Sequence, residues 1–598
     1  MRRTSGDAIV CREESPVDAD AGAKVPQGHS AAVPSPRRDP FRIRAAPFPR
    51  RAVPAPTTDH HSPVPFRPPR PEIAVLRPRL ALFLAASVAV AGCAERRAVI
   101  IYTNQRPAPP APPAPAPGPV AEEDAQPTID VATVPGPTRE FRGAWIATVA
   151  NIDWPSQSGL SADRQQTELT GLLDRAVALG LNAVVLQVRP AADALYGSPL
   201  EPWSGFLTGR EGENPGYDPL EFAVAEAHQR GLQLHAWVNP FRAGHASARG
   251  PHAATHVTRA HPEWTVRYGD QVWLDPGVPE ASAHSLAVIR DIVTRYDVDG
   301  IHLDDYFSPY PIEERGRAVP FPDGDSDRRA QAQGETLGRD DWRRQNVDRF
   351  VERLYAEVRA AKPDVLVGIS PCGIWRPGTP AGITGFDAYA SLYADARLWL
   401  RNGWLDYLAP QLYWSLDSRG QGFERLLTWW GSENAQNRHL WPGLFDSRTM
   451  PDVGTWRPAE IVAQVRATRT SGVSTGTVHY SFKALAESRA LGGALAEAVY
   501  AEPALVPASP WLDAAPPPAP RVAVEARTSG TEATFAPRAG EAVRHFVVRT
   551  RRAGVWGWEV VSGADRTRAL AAGVEAVAVS AVDRAGNESP ATLVEVAR

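Results

Sequence analysis

The stretch "DVDGIHLDDYF", residues 297–307, ends a strand-like apolar run in two adjacent carboxylates, Asp304 and Asp305. Side chains alternate along a strand, so His302 and Asp304 share one face and Asp305 takes the other unless the strand has already turned. Two close carboxylates raise each other's proton affinity, so one can keep a proton near neutral pH. Such a pair suits acid-assisted cleavage, in which one group protonates a leaving oxygen and another supports positive charge. Helix capping is the competing use. Tyr306 and Phe307 follow the doublet where a helix would be expected, which weighs against a cap.

The same parity argument sorts other strand ends. Gln187 pairs with Arg189, and His235 and Trp237 lead to Asn239 and Arg242. Gln411 pairs with Tyr413 beside Trp414, and Asp153 lies just past the first strand. So many polar residues at strand ends need partners or water, which favours a wet cleft over a core. With His302, Tyr306 and the platforms Trp154, Trp237 and Trp414, they make a candidate sugar site; the chain has 18 Trp. Arg189 also reads as a structural partner of Asp193 or Asp153, and Gln411 and Tyr413 as buried hydrogen-bonders. His245, His252, His256 and His261 read as a solvated loop, with metal binding as the lesser alternative. No HExxH or similar spacing predicts a metal, and no cofactor is expected. Cys372 reads as packing.

The elements that must position these residues are strands at 142–149, 182–188, 232–238, 300–304, 365–370, 407–413, 439–445 and 474–482. Amphipathic helical segments separate them. Eight such units predict an α/β fold, a (β/α)8 TIM-type barrel over 139–502. A Gly-rich phosphate loop after the first strand would have favoured an open doubly wound sheet, and none is present. The loops after strands one to four are long and aromatic, as expected where a barrel carries its site.

The 598 residues require more than one domain, and a net charge of −4 with no basic face excludes a nucleic-acid partner. Three cysteines imply no disulfide framework. Residues 1–74 are rich in Pro, Arg and Ala without apolar periodicity, which predicts disorder and an over-extended start. Residues 75–93 have the basic then short apolar make-up of an export signal. Their ending, "VAGC", resembles the lipobox of bacterial lipoproteins, which implies lipidation at Cys93 and a membrane partner. Residues 94–138 read as a Pro/Ala-rich tether. Short alternating strands and turns fill 516–598. The "AVSAVDRAGNES" ending resembles a fibronectin type III module, implying a small all-β sandwich.

"EFRGAWIATVANIDWPS", "NAVVLQVRPAADALYGSPLEPWS", "GLQLHAWVNPFRA", "WLDPGVPEA", "DGIHLDDYF" and "YLAPQLYW" together resemble the glycosyl hydrolase-like 10 family of bacterial envelope proteins. The likeness spans nearly all of 139–500 in order. It implies hydrolysis of peptidoglycan glycan strands, particularly denuded ones, by an exported, periplasm-facing lipoprotein. A looser likeness to the family 18 glycosidase pattern DGxDxDxE matches Asp299, Gly300 and Asp304. It puts His302 in place of an Asp and Tyr306 in place of the catalytic Glu. Either Asp304 or Asp305 is then the expected proton donor, with the other orienting it or stabilising charge. Asp153 is the candidate remote base or nucleophile, unless an acetamide of the substrate attacks instead. Two alternatives stay open: a non-catalytic sugar-binding lipoprotein, and a hydrolase of another exported polysaccharide.

Overall fold

The structure, a computed structural model, describes residues 130–596 apart from positions 249, 529, 539 and 541. The expected leader, Cys93 and most of the expected tether lie outside the described residues.

The barrel strands are β1 (Phe141–Ile146), β2 (Ala183–Arg189), β3 (Gln233–Val238), β4 (Gly300–Leu303), β5 (Leu366–Ile369), β6 (Tyr407–Leu408) and β8 (Gly476–Tyr480). Between the last two, β7 comes in two pieces, His439–Leu440 and Gly443–Phe445. The first piece pairs with β6 and the second with β8. Both ends of the parallel sheet are thus one run of chain, and the sheet closes into an eight-stranded barrel. The break in β7 falls at Trp441 and Pro442, because proline has no N–H for the ladder. Pro410 likewise cuts β6 short of the expected 407–413, and pairing resumes as single bridges from Gln411 to Cys372 and Gly443.

A principal helix follows each strand: α1 (Ala162–Ala178), α2 (Pro219–Gln229), α3 (Pro279–Arg295), α4 (Arg339–Ala361), α5 (Ala396–Asn402), α6 (Phe423–Glu433), α7 (Pro458–Thr470) and α8 (Arg489–Ala498). Local sequence sets their ends. The Asp218 carboxylate accepts the Leu220 and Glu221 N–H groups ahead of α2, and Asp395 does the same for Leu398 at α5. Gly403, at φ 70°, ends α5 in the left-handed conformation that glycine adopts freely. Buried Leu169, Leu173 and Ala176 lie on one face of α1, against the sheet. Each buried leucine contributes about 1.5–3 kcal/mol.

Aromatic rings fill the barrel lumen. Phe141 lies flat on Trp441 at 3.8 Å, and Tyr407 packs on the same indole at 4.6 Å. Two glycines make room for this layer: a Cβ on Gly368 would stand 1.8 Å from Tyr407 Cζ, and one on Gly300 would stand 2.5 Å from His235 Nδ1. At the N-terminal end of the strands a polar residue preceding β2, β4 and β6 accepts an N–H from the strand before. Asn182 takes that of Arg142 (2.9 Å), Asp299 that of Leu234 (2.8 Å) and Asp406 that of Val367 (2.7 Å).

The C-terminal part is a two-sheet all-β sandwich. Arg521–Arg527, Gly530–Ala536 and Thr567–Leu570 form one sheet; Val555–Ser562, His545–Arg552, Val574–Val582 and Thr592–Glu595 form the other. Phe535, Phe546, Val548, Val577 and Val579 close its core. It docks on the N-terminal end of the barrel. Arg544 pairs with Asp299 at 2.6 Å, and Arg584 binds Asp297, the Val298 carbonyl and Asp364.

Candidate active site

At the opposite, C-terminal end of the strands lies a cleft of about 210 Å³. Trp145, Trp237, Arg242, Asp304, Asp305, Tyr306, Ser370, Gln411, Tyr413 and Tyr480 line it. Both carboxylates are nearly covered, at 5% and 3% exposure. Each is held from a different wall. Asp304 Oδ2 accepts from Asn239 Nδ2 (2.5 Å) and Trp237 Nε1 (3.2 Å), both set by β3 and its exit. Asp305 Oδ1 accepts from Gln411 Nε2 at 3.0 Å, on the β6 side, while Tyr310 donates to Oδ2.

Burial raises the proton affinity of both groups. For Asp304, Arg242 and its Asn239, Trp237 and Tyr306 N–H donors oppose the shift. Asp305 is pushed up to about 7, by burial first and then by the charge of Asp304. The pair therefore loses its first proton on the Asp304 side and keeps the second on Asp305 to near neutrality.

A buried polar chain supports the cleft floor. The Trp145 indole can only donate, and it reaches His302 Nε2 at 3.0 Å. His302 then carries its proton on Nδ1 and donates to Tyr407 Oη at 2.9 Å. Tyr407 in turn donates to His235 Nδ1 at 2.8 Å, leaving His235 Nε2–H for Gln233 at 3.2 Å. Burial pushes His302 well below its usual range and His235 down to about 4, so both rings are neutral. Ser370, which lines the cleft, also reaches His302 Nε2 at 2.9 Å.

The expected site residues thus separate. Asp304, Asp305, Trp237, Arg242, Tyr306, Gln411 and Tyr413 converge on the cleft. His302 does not: it is wholly buried and belongs to the lumen chain. Gln187 and Asn239 are also wholly buried. Gln187 ties the Thr148 and Val149 N–H groups to Asn239, whose carbonyl also takes Arg242 Nη2 at 2.9 Å. They position Asp304 and Arg242 without facing the cleft. Arg189 is structural, but its partner is Glu201 (Nε–Oε2, 2.8 Å), and neither Asp153 nor Asp193. Trp414 and Trp154 are corrected to core positions at 4% and 0% exposure, the Trp154 indole donating to the Gln165 carbonyl. Asp153 is taken up by the backbone, accepting from Ala147 N (2.7 Å) and Lys483 N (2.9 Å), and is not among the cleft residues.

The histidine loop is a further correction. His256 is wholly buried and His252 sits against Glu211, so only part of it is solvated. Trp145, Ser370, Tyr310 and Tyr480 were not anticipated. Strand parity applied to β1, β5 and β8 would have flagged Trp145, Ser370 and Tyr480; Tyr310 lies in a loop that carries no such signal.

The structure is a closed (β/α)8 barrel with a paired-carboxylate cleft at the C-terminal strand ends, the end at which barrels of this class carry their sites. Residues 140–451 match the family described as Glycosyl hydrolase-like 10. The chain is 40% identical over 405 residues to the glycosyl hydrolase YngK of Bacillus subtilis, covering 64% of this chain and 76% of that one. It is 36% identical over 319 residues to the glycosyl hydrolase DigH of Escherichia coli K12, covering 50% of this chain and 71% of that one. The chain belongs to the glycosyl hydrolase-like 10 family.

Proposed function

We propose that the protein cleaves glycosidic bonds in peptidoglycan glycan strands, particularly strands stripped of their peptides. The observation that carries the reading is the split Asp304–Asp305 pair in a cleft walled by Trp145, Trp237, Tyr306, Tyr413 and Tyr480. Aromatic faces suit the C–H faces of sugar rings. Asp305, holding the last proton of the pair, donates it to the leaving oxygen. Asp304, ionised beside Arg242, supports the positive charge that develops at the sugar carbon. Water, or the acetamide of an N-acetylated sugar, completes the displacement.

The make-up of residues 75–93 and their "VAGC" ending support a location on the bacterial envelope, held by lipid at Cys93 with the catalytic part facing the wall. The C-terminal sandwich, three strands against four, supports a fibronectin III-like module serving as spacer or wall contact.

The test is digestion of purified denuded strands by the wild-type protein and by Asp304→Asn and Asp305→Asn. New reducing ends are expected from the wild type, with a loss of at least about a hundredfold in each variant. Unchanged activity in either variant would sink the assignment. Tyr306, standing where the family 18 pattern has Glu, favours one rival, a non-catalytic sugar-binding lipoprotein. Glycan binding by the wild type without new reducing ends would establish that rival.

A further inference from the structure

Beside the cleft, and outside the carboxylate pair, a second polar cluster gathers. The loop after β2 supplies Glu211, and the loop after β3 supplies His252 and His256. One ligand atom from each lies within 4.8 Å of the others. His252 Nδ1 stands 3.1 Å from Glu211 Oε2, and His256 Nε2 stands 3.4 Å from Glu211 Oε1. Bonds of about 2.0–2.1 Å from a tetrahedral metal put its ligands roughly 3.3 Å apart. Each histidine stands near that distance from one of the two Glu211 oxygens, so the carboxylate can face an ion held between the rings.

The surroundings support the same use. Glu211 Oε2 is oriented by the Ala253 N–H at 2.7 Å, and His256 Nδ1 lies 2.8 Å from Thr258 Oγ1. Partners of this kind fix metal ligands from behind. The two imidazoles lie nearly parallel at 4.1 Å, an arrangement that two charged rings would oppose and two neutral ligands tolerate. Asp193, a second carboxylate at 5% exposure, faces the same cavity of about 140 Å³. Without a cation, His256 Nε2–H is free to donate to the Ala191 carbonyl at 3.1 Å. Its Nδ1 then accepts the Thr258 N–H at 3.2 Å. Metal binding needs the other tautomer: Nε2 would give up Ala191 for the ion, and Nδ1–H would turn from the Thr258 N–H to the Thr258 hydroxyl.

We propose that Glu211, His252 and His256 bind a divalent transition cation of the zinc type, which staples the β3 loop to the β2 loop. The consequence reaches the cleft through His245, which lines both cavities. The ion would fix one wall of the cleft without touching Asp304 or Asp305, and the proposal stands whether or not the glycan assignment holds.

Calorimetric titration of the EDTA-treated full-length chain with zinc chloride tests it. One equivalent is expected to bind with a micromolar or tighter constant and to raise the melting temperature. Cobalt(II) should give visible absorption bands of a four- or five-coordinate site. Glu211→Gln and His252→Asn should each weaken zinc binding more than about tenfold. The control His261→Asn, at a ring stacked on Trp264 away from Glu211, should leave it unchanged. No zinc uptake by the wild type, or equal uptake by both site variants, overturns the proposal. The wild-type titration and cobalt spectrum decide the matter even if a variant misfolds.

Discussion

Asp304 and Asp305 are neighbours in sequence, yet separate sets of side chains hold their carboxylates. Trp237 and Asn239 donate to the first, and Gln411 and Tyr310 donate to the second. The two acids therefore differ in environment, as the separate roles proposed for them require.

A pH dependence follows from that difference. With Asp305 as the proton donor, kcat/KM on denuded strands should fall as pH rises through about 7. Gln411 donates to the charged form of Asp305 and lowers its proton affinity. Replacing it by Leu should move the descending limb to higher pH while lowering the maximal rate. A limb that stays put or moves down in Gln411→Leu would argue against Asp305 as the acid.

The same carboxyl sets a stability trend of definite sign. Asp305 is raised from 3.8 to about 7 in the fold, so between these values the folded protein holds a proton that the unfolded chain has released. Stability contributed by this group therefore falls as pH rises across that window and stays low above it. Asp305→Asn removes the charge, so it should raise the melting temperature relative to wild type at pH 8. The gain is at most about 4 kcal/mol and should vanish near pH 4. Thermal melts at the two pH values check it; equal shifts at both would show that charge is not the cause.

The two-residue parity of strands was enough to read the barrel and half of its cleft. Where prediction failed, the cause was tertiary. His302 lies on the same strand face as Asp304, but one pleat deeper it meets Trp145 and Tyr407 and becomes lumen. Gln187 and Asn239 lie on the expected face, but Gln187 spends its amide on the loop after β1 and on Asn239, and Asn239 spends its own on Asp304 and Arg242. Trp414 follows Tyr413 and takes the opposite side, into the core. The match of Asp299 and Gly300 to a glycosidase pattern also proves architectural here: the aspartate ties β4 to β3, and the glycine leaves space for His235.

That lumen gives a packing prediction. Tyr407→Phe strands the His302 Nδ1–H and His235 Nδ1 without a partner, and should cost about 2–4 kcal/mol in urea unfolding. Gly368→Ala drives a methyl into the Tyr407 ring and should destabilise through overpacking by about 1–3 kcal/mol or more. Because overpacking acts on the ring and not on its hydroxyl, Gly368→Ala should still destabilise a Tyr407→Phe background. Loss of that effect would place the strain elsewhere.

The last prediction concerns the joint between barrel and sandwich. Asp299 is 3% exposed, and Arg544, His228 and Arg584 hold its carboxyl well below the usual range against the cost of burial. A depressed carboxyl contributes stability that is present above its unfolded value, near 3.8, and is lost as pH falls through the folded value. Arg544→Ala leaves the charge with weaker partners and should cost about 3 kcal/mol at pH 7. It should cost less at pH 3, where Asp299 is partly protonated in the unfolded chain and the ion pair contributes less. Arg544→Lys keeps the charge but not the reach of the guanidinium, and should fall between wild type and Arg544→Ala. Unfolding at the two pH values tests this. A penalty independent of pH would mean that Arg544 acts by packing alone.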